Sequence, residues 1–139
     1  MAQAVREIMT RDPVVMEERS TVAEAARAMK EQDIGDVIVT AGEQVCGIVT
    51  DRDIVVRALA EGREPMTTKL ADIVSSELVT VKPDDPVEEA ARLMRERALR
   101  RMPVVSDGRP VGVVSIGDLA IERDEESGLA QISAARANR

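Results

Sequence analysis

Apolar positions along this chain recur first with a helical period and then with a strand period, and the whole succession comes twice. Val22, Ala25, Ala26 and Met29 fall at i, i+3, i+4 and i+7, and Val87, Ala90, Ala91 and Met94 repeat the spacing. Each set makes one face of an amphipathic helix. Asp85 before Pro86 predicts an N-cap and a proline at the first helical position of the second helix, while Ser20 or Thr21 caps the first. Behind each helix, two short apolar runs flank a polar turn. They are Val37–Val39 and Val45–Val49 around Ala41–Gln44, then Met102–Val105 and Val111–Val114 around Ser106–Arg109. Both pairs read as hairpins, and Asp107-Gly108 is a strong turn signal. Ahead of the helices, Pro13–Met16 and Leu78–Val81 each predict one more short strand. The order in each copy is strand, helix, strand, strand, helix.

The copies align without a gap, since 87 − 22 and 112 − 47 are both 65. The chain has 139 residues, 44% of them hydrophobic. Two units of about 60 residues, neither very stable alone, then share one core. The expected fold class is α/β (α+β). The boundaries that follow are 1–68 for the first copy and its connector, 69–127 for the second copy, and 128–139 for a tail. Gly62 and Pro65 break regular structure in the connector, and Leu129–Ala137 reads as a short terminal helix.

A signature Gly-x-x-[Ser/Thr]-x-x-Asp closes each copy, as Gly47…Thr50…Asp53 and Gly112…Ser115…Asp118. Thr50 and Ser115 each end a strand and open a helix. That arrangement presents a hydroxyl and backbone amides, suited to a phosphate, beside a carboxylate that can accept hydrogen bonds from ribose hydroxyls. The same spacing is also that of a capping box, a purely structural device. Recurrence in register with the glycine raises the weight of the ligand reading, and spacing alone leaves both open.

Composition removes other chemistries. With no Phe, Tyr or Trp, no aromatic platform exists for stacking bases, and a ring-shaped ligand must lie between aliphatic side chains. With no His, the usual general base and the commonest metal ligand are both missing. No metal site is expected. Cys46 is the one cysteine, in an apolar run and matched by Val111 in the second copy, so it reads as a strand residue in a reducing compartment. A net charge of −7 argues against nucleic acid as a partner. No apolar stretch approaches the ~20 residues that span a bilayer, and no signal-peptide core follows Met1. A cytoplasmic protein with no membrane partner is expected.

Taken together, the duplicated helix, the hairpins and the two Gly-x-x-[Ser/Thr]-x-x-Asp endings resemble a tandem pair of cystathionine beta-synthase (CBS) domains, the Bateman module. Ile8-Met-Thr10, Thr50-Asp-Arg-Asp-Ile54 and Arg101-Met-Pro-Val-Val105 are typical of it, and the resemblance covers residues 5 to about 125. It is greatest to small stand-alone bacterial members of the hypoxic-response-protein kind. The resemblance implies two repeats, each a three-stranded sheet with flanking helices, packed about a pseudo-twofold axis with two clefts between them.

It further implies a regulatory module, not an enzyme, that binds AMP, ADP, ATP or S-adenosylmethionine, requires no cofactor, forms a homodimer and modulates an unknown protein partner. Position by position, Asp53 and Asp118 would hold ribose, Thr50 and Ser115 would stand near the first phosphate, and Arg101, with Arg100 beside it, would meet phosphate. Thr10 to Val14, Val79 to Val81, Val37 and Met102 would line the adenine. The copies differ where the second has Arg100-Arg101 and the first Gly35-Asp36. A carboxylate there weakens an anionic ligand, so at most one good nucleotide site is expected, with Arg11, Arg52 and Arg100 able to support either cleft. The alternative is a dimeric interaction scaffold with vestigial clefts, in which Arg100 and Arg101 form a solvated charged turn.

Overall fold

A computed structural model describes residues 3–75, 77–123, 131–132 and 134–135. Six strands and four helices are labelled here: β1 Thr10–Arg11, β2 Val15–Glu17, α1 Val22–Gln32, β3 Asp36–Ala41, β4 Gln44–Thr50, α2 Asp51–Asp53, α3 Val87–Arg97, β5 Arg101–Ser106, β6 Arg109–Ser115 and α4 Ile116–Arg123. A π-helical stretch, Ile54–Leu59, continues α2. The expected tail helix lies largely outside the described residues.

The chain divides into two compact bodies. The first-repeat body comprises Pro13–Leu78 with Gly108–Pro110, and the second-repeat body the described residues of Met1–Asp12, Val79–Asp107 and Val111–Arg139. The N-terminal segment thus packs with the second repeat, although chain order puts it beside the first.

In the first-repeat body the sheet order is β2-β3-β4. Val15, Met16 and Glu17 pair in parallel with Ile38, Val39 and Thr40. Parallel pairing needs a crossover, and α1 supplies it. β3 and β4 form the expected hairpin, with a bulge between Val39 and Thr40 that leaves Cys46 unpaired. Alternate residues of β4 point to the core, so Val45, Gly47 and Val49 are buried. Val22, Ala25, Met29, Val37, Val39, Val49, Ile54, Ala58, Leu70 and Ile73 make that core. Ala26, expected on the buried face of α1, is exposed, so the apolar stripe there is narrower than its spacing implies. Thr21, one of the two candidate caps, closes a capping box with Glu24 (3.1 and 3.2 Å).

The second-repeat body has the sheet order β1-β6-β5. Its third strand is not Leu78–Val81, as the sequence predicts, because Val81 makes only an isolated parallel bridge to Val104. Instead β1 enters antiparallel to β6, pairing Thr10 with Val113 and Arg11 with Gly112. Pro86, not Asp85, is the N-cap of α3. Proline has no side-chain acceptor to cap with, so Val87 N–H donates to the Gln3 carbonyl (3.1 Å), and Asp85 instead accepts from Lys82 N–H (2.9 Å). Asp107 (φ 53°) and Gly108 (φ 81°) both adopt the left-handed conformation that a two-residue type I′ turn requires. Val5, Val81, Val87, Ala90, Met94, Met102, Val104, Val114 and Leu119 form the core.

The repeat extends further than its helices and hairpins. Val5–Glu7 and Leu70–Asp72 are both 3₁₀ turns, and they occupy matching places in opposite bodies. Ala4 bridges Pro86 as Lys69 bridges Thr21, and Val87 N–H reaches Gln3 O as Val22 N–H reaches Thr68 O. Each leading segment therefore completes the body built around the other repeat. Val5 and Leu70 are fully buried and anchor the exchange.

Candidate functional site

Both signature motifs fold alike. Thr50 is the N-cap of α2, where Asp53 N–H donates to its Oγ1 (3.1 Å) and Thr50 N–H donates to Asp53 Oδ2 (2.9 Å). Ser115 and Asp118 repeat this at α4, with Asp118 N–H to Ser115 Oγ at 3.2 Å and Ser115 N–H to Asp118 Oδ2 at 2.8 Å. The capping-box geometry is thus realised in both bodies. It does not use up the chemistry. A hydroxyl that accepts one bond still has its proton to donate, and each box engages one of its two carboxylate oxygens.

The glycine of the motif has a separate cause. A Cβ on Gly112 would stand 2.6 Å from Met9 Sδ and 2.8 Å from the Thr10 carbonyl, and a Cβ on Gly47 would collide with Val74. Each glycine makes room for the leading segment that crosses the strand beside it. The sequence reading missed this exchange. The signal was present, since Val5 and Ile8 return as Leu70 and Ile73 at the same offset.

The candidate residues sort by body. Val14, Val37, Thr50 and Asp53 belong to the first, and Thr10, Val79, Val81, Arg100, Arg101, Met102, Ser115 and Asp118 to the second. Val37 and Met102 are 0% exposed and Val81 2%, so their side chains are held in the cores and offer a ligand only backbone. Val14 and Val79 are half-buried and Thr10 is exposed. The Val14 carbonyl accepts from Ile38 N–H (2.9 Å), which sets Val14 beside β3.

Around the boxes the charges differ. In the first-repeat body, Thr50 pairs with Asp36 across the ladder, and Asp51 opens the helix with its N–H bonded to the Gly35 carbonyl (3.0 Å). Arg57, which the sequence reading passed over, stands 3.7 Å from Asp53 Oδ1 and donates to the Ile73 carbonyl (3.3 Å). Its i,i+4 spacing from Asp53 was legible. In the second-repeat body, Ile116 replaces Asp51, and its N–H bonds the Arg100 carbonyl (2.8 Å). This ties the Arg100-Arg101 corner to the Ser115 cap. Glu122 stands where the first repeat has Arg57. Burial raises the Asp118 carboxyl above its usual pKa, and the two Ser115 bonds only partly offset that.

A groove of about 370 Å³ lies at the turn end of the first-repeat sheet, lined by Val15, Glu17, Thr40, Gly42, Glu43, Arg109 and Pro110. It contains none of the candidate residues. Among the described residues no cluster of three His, Cys, Asp or Glu side chains could hold a metal ion, and no helix is long and apolar enough to cross a membrane.

Repeated caps, exchanged leading segments and two three-stranded sheets define a duplicated α/β module, and the CBS domain model matches residues 5–59 and 70–124. The chain belongs to the CBS family. The CBS domain-containing protein YhcV of Bacillus subtilis is 35% identical over 120 residues, covering 86% of this chain and 85% of that one. Hypoxic response protein 1 of Mycobacterium tuberculosis is 34% identical over 116 residues, 83% of this chain and 81% of its own; a crystal structure of Hypoxic Response Protein I with two coordinated zinc ions superposes with a TM-score of 0.78 at 32% identity, covering 88% of this chain and 99% of that one. The CBS domain protein PAE2072 of Pyrobaculum aerophilum, solved in complex with AMP, has a TM-score of 0.78 and 32% identity over 92% of this chain and 98% of its own.

Proposed function

We propose that this protein is a regulatory CBS-pair module, not an enzyme, that binds an adenosine-type ligand through residues of its second-repeat body and passes occupancy to a protein partner. The carrying observation is the Ser115–Asp118 box tied to the Arg100-Arg101 corner. Asp118 Oδ1 accepts from ribose, the Ser115 hydroxyl proton is donated to the first phosphate, and Arg100 and Arg101 neutralise it. Thr10, Val79 and the backbone of Val81 and Met102 complete the surroundings of the base. The AMP complex of PAE2072 supports the ligand class. AMP, ADP and ATP fit this charge better than S-adenosylmethionine, whose sulfonium and ammonium gain nothing from two guanidinium groups. In the first-repeat body, Thr50, Asp53, Val14 and Val37 form the weaker counterpart, because Asp36 and Asp51 stand where an anion would approach. To regulate, the ligand must prefer one state of the module over another; tight binding to both shifts nothing. A homodimer in the cytoplasm is the expected working form.

Equilibrium dialysis against AMP, ADP, ATP and S-adenosylmethionine tests the reading. Saturable binding of AMP that Arg101→Ala weakens about tenfold supports it, in line with ~1.5–3 kcal/mol for a hydrogen bond to a charged group. A second reading, a scaffold with vestigial sites, is favoured by both boxes being closed on themselves. It predicts no saturable binding by any of the four compounds.

A further inference from the structure

We infer, resting on the motif aspartates as ribose acceptors, that Arg57 is a specificity-determining residue: it closes the first-repeat box to a sugar by holding the second oxygen of Asp53. Both oxygens of that carboxylate are engaged from within the first-repeat body. Oδ2 accepts from Thr50 N–H (2.9 Å), and Oδ1 faces Arg57 Nε at 3.7 Å. The same guanidinium donates through Nη1 to the Ile73 carbonyl (3.3 Å). That carbonyl is a fixed point, because Ile73 belongs to the first-repeat core and its own N–H bonds the Leu70 carbonyl (3.1 Å). Arg57 is thus held at two points although its side chain is about half exposed. The local helix contributes, since the π-helical stretch Ile54–Leu59 begins directly after Asp53 and contains Arg57.

The second-repeat body has no such closure. Asp118 Oδ2 accepts from Ser115 N–H (2.8 Å), and among the described residues no group donates to Oδ1. Glu122 holds the register place of Arg57, and an ionised carboxylate has no proton to donate. A ribose hydroxyl must therefore displace an arginine at Asp53, whereas at Asp118 it displaces no described side chain. This closure acts on the sugar, while Asp36 and Asp51 act on the phosphate. Adenosine, which has the sugar and lacks the phosphate, separates the two causes.

The test is equilibrium dialysis of adenosine against full-length chains that all carry Asp118→Asn, so that the second-repeat carboxylate does not contribute. Adding Arg57→Gln should tighten adenosine about fivefold, the scale of giving up a half-exposed ion pair and a hydrogen bond to a carbonyl. Arg57→Lys, which keeps a cation within reach of Asp53, should stay within about twofold of the starting chain. Adding Asp53→Asn to the Arg57→Gln chain should abolish the gain, as it must if the two residues act on one oxygen. Unchanged or weaker adenosine binding in Arg57→Gln, or a gain that survives Asp53→Asn, overturns the inference. AMP binding by the parent chain is measured alongside. Should it be absent while Arg57→Gln still gains adenosine, the assignment of the ligand to the second-repeat body fails and the role of Arg57 stands; should no chain bind either compound, both fall.

Discussion

In repeat register, the box of the first repeat is accompanied by Asp36, Asp51 and Arg57, whereas that of the second is accompanied by Arg101, Ile116 and Glu122, with Arg100 next to Arg101. Their backbones are copies, down to the pair of reciprocal hydrogen bonds near 3 Å. The cap was kept by the fold in both repeats, while the charges around it diverged. A capping box stabilises a helix end whatever stands beside it; an anion is held only where the neighbours are basic. On the proposed reading, the two boxes would separate a structural duty from a binding duty within one molecule.

The largest expected difference between the bodies lies in their glycines. Gly112→Ala drives its new methyl into Met9 Sδ and the Thr10 carbonyl, a backbone atom, while the close clash of Gly47→Ala is with the Val74 side chain. Overpacking costs about 3 kcal/mol in the first case and about 1 kcal/mol in the second. Urea melts followed by circular dichroism would read this, since the chain has no tryptophan. Equal costs would mean the leading segments are held alike in both bodies.

Caps come next. Ser115→Ala and Thr50→Ala should each cost about 1 kcal/mol, and only the former should also weaken AMP binding. Smaller still is the effect at the ends of the repeated helices, where Asp33 (φ 53°) and Ala98 (φ 54°) both sit in the left-handed region. Ala98→Gly should stabilise the protein by about 0.5–1 kcal/mol, and Asp33→Gly by less, since aspartate tolerates that conformation better than alanine.

How far the sequence carried the fold can be judged from particular residues. Helical spacing located α1 and α3, and the apolar runs located both hairpins, because short-range periodicity is a property of neighbours along the chain. The exchange of leading segments was not read, because where Val5 and Leu70 pack is decided by tertiary contact. Likewise the strand predicted at Leu78–Val81 reduces to a bridge beside β5, and the third strand of that sheet comes from Thr10–Arg11 at the opposite edge, against β6. For the site, motif spacing found Thr50, Asp53, Ser115 and Asp118 as cap pairs, but the burial of Val37, Val81 and Met102 in the cores was beyond it. Alternation marks a residue as apolar without telling a cleft from a core.

Titration gives a finer contrast. Because burial raises the Asp118 pKa on folding, the folded protein binds more protons than the unfolded chain just above the ordinary carboxylate range. Stability contributed by this group is greatest below about pH 4, falls as pH rises through the raised value, and at neutrality the cost of burying the charge is fully present. Asp118→Asn keeps an oxygen for Ser115 N–H and removes the charge. Its stability relative to the parent chain should therefore increase with pH across that window, in denaturant melts at stepped pH. A flat difference would remove burial as the cause.

The most direct measurement is equilibrium dialysis of AMP against Asp118→Asn and Asp53→Asn in parallel. Loss of the second-repeat carboxylate should weaken AMP at least about tenfold, the scale of a charge-assisted hydrogen bond, while the first-repeat change leaves affinity within about twofold or improves it by removing a nearby negative charge. Equal effects of the two variants, or a greater loss from Asp53→Asn, would contradict the assignment of the ligand to the second-repeat body.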